Sequence, residues 1–426
     1  MTSKNVVTLG ELIDIKHGYA FKGVNFSKEE TNLILLTPGN FKIGGGFLNN
    51  KFKYHLENAD FPHDFILNTG DLLVTMTDLS KDGDTLGYPA LVPKIEGKLL
   101  LHNQRLGKIS IKDESKITKP YLYYLLCSSK YRHHILATAT GTTVKHTAPD
   151  RIKSYKFELP DIEEQNRVAG ILSGLDEKIE LNNEMNVTLE DIAQGIYKRW
   201  FVDFNFPNDF GKPYKISDGK FIESEMGVIP SSFKEGKLES IAIISTKSIK
   251  PQENPHVLFE HYSIPAYDDQ RYPVSEYGIE IKSNKYRVET NSFLVSKLNP
   301  TTKRVWEPLC LTEYSISSTE FINFKPKDLI YSSYLYSVLN SAQFSEHLIK
   351  HATGSTGSRQ RVKPLDTLSY KILLPNEYIL RAFDDIVGPI REQLKENKKN
   401  NQVLKKLRDN LLLKLIEGKS LISDII

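Results

Sequence analysis

The chain has 426 residues, 39% apolar and 26% charged, which suits a globular protein of two to four domains and excludes a disordered or fibrous one. Its net charge of +3 is too small to name a partner. Two cysteines without CxxC spacing, Cys127 and Cys310, fit packed thiols in a reducing, cytoplasmic setting, and no apolar run approaches 18 residues, so neither a membrane span nor a signal peptide is expected.

Residues 1–158 read as one mixed α+β domain. Strands are expected at 6–9, 33–36, 71–75 and 155–159, with turns at Thr37-Pro38-Gly39-Asn40 and Gly44-Gly45-Gly46 and a helix over 121–137. Residues 159–206 then form a long helix. Asp161 is its N-cap, with Glu164 placed to complete a capping box. Val168, Ile171, Leu172, Leu175, Ile179, Met185, Leu189, Ile192, Ile196 and Trp200 recur at helical spacing as a narrow seam, and such a helix needs a partner helix. Gly170, Gly174 and Gly195 interrupt it, which close helix approach would explain. Residues 207–230, rich in Pro, Gly, Asp and Asn, read as a linker.

The pattern then repeats. Residues 231–373 answer the first domain, with Tyr121, His134 and Gly141 returning as Tyr334, His347 and Gly354. Residues 374–426 answer the long helix at an offset of 215: Val168, Ile179 and Ile196 become Phe383, Leu394 and Leu411. Gly388-Pro389 marks a place where this second helix is expected to kink. The centres, 40–101 and 255–311, match poorly. The expected class is therefore α+β: two globular mixed domains, two long helices and an internal pseudo-twofold duplication. One scaffold carrying two different surfaces suits a target with two different halves.

The order domain, helix, linker, domain, helix resembles the DNA-specificity (S) subunit of type I restriction–modification systems. The phrases LPDIEEQNRVAGILSGLDEKIELNN (159–183), YKRWFVDF (197–204) and ESEMGVIP (223–230) carry the resemblance, which covers nearly the whole chain. It implies a non-catalytic subunit whose two target recognition domains, separated by antiparallel helices, each read half of a bipartite double-stranded DNA target. It further implies docking of two modification (methyltransferase) subunits, joined by restriction (endonuclease/translocase) subunits. S-adenosylmethionine, ATP and Mg would then sit on those partners and no cofactor on this chain.

The rivals are a stand-alone DNA methyltransferase or nuclease, and a coiled-coil scaffold that binds only proteins. A methyltransferase would need a glycine-rich cofactor loop and an Asn/Asp-Pro-Pro-aromatic tetrapeptide; Asn254-Pro255-His256 and Asn299-Pro300-Thr301 lack the second proline and the aromatic. There is no GxxxxGK[ST] loop. Asp84 with Glu96-Gly97-Lys98 is a loose nuclease-like spacing of a kind that arises by chance, and adjacent His133 and His134 point apart on a helix, so no catalytic or metal-ligating residue is expected.

DNA contact calls for cations and amides on exposed loops. In the second domain these are Ser358, Arg359, Gln360 and Arg361, with Lys297, Lys303 and Arg304 in a stretch that ends on Trp306. In the first they are Thr142, Thr143, Lys145 and His146, with Lys42 and Lys81 as phosphate contacts. Tyr197, Trp200, Phe201, Phe204 and Phe206 crowd one helix end. Trp200, Phe201 and Phe204 are expected to dock a methyltransferase subunit, the alternative being packing on a domain of this chain. Finally, Asn182 and Asn186 interrupt the seam at its middle and return as Asn397 and Asn401. In an antiparallel pair with twofold symmetry, Asn182 should face Asn401 and Asn186 should face Asn397, fixing the register.

Overall fold

The three sheets that form the first globular region recur in the second, with one edge strand placed differently. A computed structural model of the protein describes residues 5–49, 52–208, 210–354 and 360–416. The chain falls into two compact units, Met1–Glu180 with Gln402–Ile426, and Leu181–Asn401.

In the first unit, Val6–Thr8 pairs with Lys156–Glu158. A four-stranded sheet runs Ile13–His17, Leu106–Ile111, Leu72–Thr75, Pro89–Leu91, antiparallel throughout. A five-stranded sheet runs Phe26–Ser27, Lys53–His55, Leu33–Leu35, Leu99–Leu101, Ile66–Leu67, with the Leu33 and Leu99 strands parallel. The second unit repeats the pair (Lys234–Lys237 with Lys371–Leu374) and the four-stranded sheet (Ala242–Ile244, Phe321–Pro326, Phe293–Ser296, Val305–Trp306). Its other sheet runs Val274–Tyr277, Leu258–Tyr262, Ser315–Ser318, Lys285–Arg287, Ser248–Ile249, again with one parallel pair at its middle. Four of those five strands correspond to the first unit's. The fifth is added at the opposite edge, beside Lys285–Arg287 where the first unit adds Phe26–Ser27 beside Lys53–His55. The centres that match poorly in sequence thus share a topology.

The single helix expected over 121–137 is two, Lys119–Cys127 and Ser129–Thr138. Ser128 breaks it: its extended backbone ends one helix while its hydroxyl accepts from Tyr131 N–H and caps the next. Ser341 does the same between Ser332–Asn340 and Ala342–Lys350. Residues 207–230, read as a linker, contain the hairpin Phe221–Ser224/Gly227–Pro230.

The first long helix spans Ile162–Tyr197 and continues as a π-helical turn, Lys198–Val202. Asp161 caps it by accepting from Glu164 N–H at 2.8 Å, while the Glu164 carboxylate turns to Arg167. The second spans Glu377–Ile416 and stays helical through Pro389. Asn376 caps it through Ile379 N–H. No helix among the described residues is long and apolar enough to cross a membrane.

The buried seam of the first helix is narrower than the apolar pattern suggested. Gln165, Val168, Leu172, Ile179, Asn182, Asn186, Ala193 and Trp200 are buried, whereas Met185 and Ile192 are exposed. These buried positions keep the 3.5-residue repeat of paired helices. A Cβ built on Gly170, Gly174 or Gly195 meets nothing within 4 Å, so close approach does not account for them, and nothing else in the structure does.

Both helices serve both cores. Val168, Ala169 and Leu172 join the first unit's core, against which Leu411, Leu412, Leu415 and Ile416 also pack. Ala193, Trp200 and Phe201 join the second unit's core with Leu380, Phe383 and Val387. At the middle, Asn182 Nδ2 donates to Asn401 Oδ1 at 2.8 Å and Asn397 Nδ2 donates to Asn186 Oδ1 at 2.9 Å. These are the pairings that the centre of the repeat requires. Asn401 donates onward to Asn183, and Gln393 donates to Asn397.

Replacing Asn397 with Leu should cost about 1–3 kcal/mol, because the Asn186 amide stays buried without its partner. The double replacement Asn186→Leu, Asn397→Leu should recover most of that loss, as read from urea midpoints at constant m-value.

His102 is buried, its Nε2 hydrogen-bonded to the Leu106 carbonyl at 3.0 Å, and burial pushes its pKa down to about 4. The folded state thus favours the neutral ring. That contribution is complete above the unfolded value near 6.5 and is lost as pH falls from there through 4, by roughly 1.4 kcal/mol per unit. His102→Gln, which keeps an N–H for Leu106, should flatten this part of the stability–pH profile, measured by denaturation at pH 7 and pH 4.5.

Candidate nucleic-acid interface

In both units the polar loops expected to meet DNA are brought together in the same way. In the first, Thr77–Asp78 leaves the strand Leu72–Thr75 and pairs with Lys145–His146. His146 also bridges back to Thr140, closing a small hairpin, and its Nδ1 is 3.1 Å from the Thr77 hydroxyl. Gly141 makes the turn at φ 92°; a Cβ there would lie 1.9 Å from the Val144 carbonyl oxygen, so no other residue fits. Thr142 and Thr143 are exposed at the tip, and Lys145 is half-buried beside them.

In the second unit, Leu298 follows the strand Phe293–Ser296 and bridges to Arg361, which bridges back to Thr353. Asn299 N–H donates to the Gln360 carbonyl at 2.8 Å, and Val362 N–H to the Lys297 carbonyl at 3.0 Å. At the repeat offset Arg361 occupies the place of His146, and Gly354, again at positive φ, follows Thr353 as Gly141 follows Thr140. Two stretches picked out separately in each half therefore form one surface in each.

The first surface is prebuilt by residues that sequence reasoning missed. Arg132 donates to the Gly83 and Leu86 carbonyls and lies over the Tyr88 ring at 4.7 Å, gripping the loop after Asp78. The Asp78 carboxylate accepts from Ser80 N–H and from Thr85 N–H and hydroxyl. Burial alone would raise its pKa, but these hydrogen bonds outweigh burial and hold it below the usual carboxylate value. Lys81 and Lys42 are exposed and, among the described residues, Lys42, Lys81, Lys145 and Lys297 form no ion pair.

In the second surface, the Arg361 guanidinium is held by the Glu320 carboxylate at 3.1 and 3.3 Å and stays about half exposed, at 48%. Hydrogen bonding to Glu320 raises its pKa. Gln360 and Lys297 are partly exposed beside it. Ser358 and Arg359 lie outside the described residues.

Two expected contacts are corrected. Arg304 makes a bidentate pair with Asp268 at 2.6 and 2.8 Å, its side chain only 11% exposed, so its charge is engaged in bracing the loop to a neighbouring helix. Lys303 donates to the Asn340 carbonyl at 2.5 Å and lines an internal pocket. Trp306 is core. The partner of each is more than 30 residues away, which no local pattern signals.

The aromatic cluster is corrected too. Trp200 and Phe201 are buried, with Phe201 4.8 Å from Tyr334 and 4.9 Å from Phe383, and Phe204 sits edge-on to Phe233. These rings pack on the chain's own second unit, as the alternative reading allowed, and leave little surface with which to dock a methyltransferase. Among the described residues no three His, Cys, Asp or Glu are grouped so as to hold a metal ion.

A family model described as the type I restriction modification DNA specificity domain matches residues 1–191. The chain is 25% identical over 348 residues to the type I restriction enzyme MjaIX specificity subunit of Methanocaldococcus jannaschii, spanning 80% of this chain and 76% of that one. It is 32% identical over 189 residues to the HindI specificity subunit of Haemophilus influenzae, 42% of this chain and 38% of that one. The crystal structure of a type I restriction–modification S subunit from M. genitalium covers 97% of both chains at a TM-score of 0.53 and 16% identity, which shows a shared fold. Over its first 191 residues the chain is thus similar in sequence to the type I restriction modification DNA specificity domain, and over nearly its whole length it shares the fold of a solved S subunit.

Proposed function

We propose that this chain is the non-catalytic, sequence-reading subunit of a type I restriction–modification complex. Each globular unit reads one half of a bipartite duplex target. The helix pair sets the gap between the half-sites and docks the methyltransferase subunits, which bring S-adenosylmethionine; the restriction subunits bring ATP and Mg. The observation that carries this reading is the pair of equivalent loop surfaces, closed by the same bridges yet lined differently: Lys81, Thr142, Thr143 and Lys145 with His146 in one, Lys297, Gln360 and Arg361 in the other. Equal scaffolds with unequal side chains are what reading two different half-sites requires.

Arg361 has the geometry of a base reader, because Glu320 fixes the plane of its guanidinium. In gel shifts with the modification subunit present, Arg361→Ala should weaken target binding by about 1–3 kcal/mol and relax selectivity in one half-site only. Lys81→Ala or Lys145→Ala should weaken all sequences alike and lower the log–log salt slope by about 1. Unchanged binding in all three variants would exclude these surfaces.

The helix pair is tested by length. Four residues inserted after Glu184 and four after Lys399 add ~6 Å along the pair. With DNA rising about 3.4 Å per base pair, the preferred gap should grow by one or two pairs while both half-sites stay the same. Selection from a randomised-gap duplex library reads this directly; an unaltered gap rejects the role.

A further inference from the structure

One pocket in the second unit has no part in the reading surface. It has a volume of about 120 Å³ and lies among the two long helices and the sheet region that carries Val305. Its walls hold five cations against two carboxylates, a surplus of three positive charges. Glu307, itself buried, binds Arg391 at 2.5 and 3.1 Å and Lys395 at 2.8 Å. Glu190 binds Arg271 at 3.2 Å. Lys303 reaches only a backbone carbonyl, and Lys398 has no hydrogen bond or ion pair among the described residues. Partial burial pushes both lysines below the usual ammonium value.

The scaffold does not need these cations. At the repeat offset, Arg391, Lys395 and Lys398 correspond to Asp176, Glu180 and Asn183 in the first helix, so the same helix positions fold with acids or an amide. Gathering like charges in a partly desolvated hollow is unfavourable unless something negative enters it. The volume admits a tetrahedral anion with a few waters, each water taking about 30 Å³, and is smaller than the roughly 300 Å³ of the smallest ordinary ligand sites.

We propose that this pocket binds a phosphate-like tetrahedral oxyanion, with Lys398 as its main cation and Lys303 beside it. Because Lys303 lies on the loop that continues from Leu298, the bound anion ties that loop to the second long helix. The proposal is independent of which bases the chain reads.

The test is calorimetric titration and thermal melting of the full-length protein with inorganic phosphate, against sodium chloride at matched ionic strength. The wild type should show saturable binding and a saturable rise in melting temperature. Lys398→Met should weaken apparent affinity about tenfold or more, the loss of one charge-assisted hydrogen bond, and Lys398→Arg should restore it. A duplex arm separates the sources of the anion. If phosphate has no effect on either protein but Lys398→Met lowers the salt slope of duplex binding, the oxyanion is a backbone phosphate. A melting rise that is linear in phosphate and identical in Lys398→Met is general salting-out stabilisation and overturns the site. So does the absence of any Lys398-dependent response in both arms.

Discussion

The antiparallel packing of the two long helices is the constraint on which the rest depends, because neither core closes without both. The first unit's core is covered by Leu411, Leu412 and Leu415 from the far end of the chain. The second unit's core takes in Ala193, Trp200 and Phe201 from the helix that begins at the first domain. Each core is thus completed by the helix end that belongs, in sequence, to the other copy. The aromatic cluster at 197–206 follows from this. It is large because it must seal a domain, with Phe383 and Tyr334 as its partners.

Register in such a pair cannot come from apolar contacts alone, since Leu, Ile and Val accept many slips. The buried amides supply it. Asn182 with Asn401 and Asn186 with Asn397 satisfy each other only in one alignment, and a slip by one heptad leaves four amides buried without partners. The amides sit at the centre of the repeat, where a twofold arrangement brings equivalent positions closest together. That is why their pairing was legible from numbering alone.

The duplication, both long helices, the Asp161 cap and the loop at 141–146 were equally legible, because each is written in local periodicity or in an offset between copies. What was not legible is long-range. The shared topology of the centres does not show in sequence, since strand pairing is set by backbone hydrogen bonds that many side chains tolerate. The break at Ser128 is local, but the side chains on either side are compatible with one continuous helix, so the serine's capping role does not stand out. Arg304 and Lys303 looked exposed because Asp268 and Asn340 are far away in sequence. Met185 and Ile192 looked buried because a 3.6-residue reading spreads the seam wider than a 3.5-residue pairing uses.

Charge resolves one more ambiguity that the asparagines leave open. Because the amides recur in both helices, either helix could pair through them with a second copy of itself. Other positions oppose this. In the first unit Arg408 donates to Asp176 at 2.7 Å, and Asp176 also accepts from the Tyr124 hydroxyl at 2.8 Å. At the repeat offset Asp176 corresponds to Arg391, and Arg408 to Ala193. If the first helix paired with its own copy, Asp176 would meet Ala193 and lose its cation. If the second did so, Arg391 would meet Arg408, like charge against like. Only the pairing of first with second helix places an acid against a base at that level. The amides therefore select the register and the charges select the partner, so one chain closes on itself in preference to forming a symmetric dimer of either half.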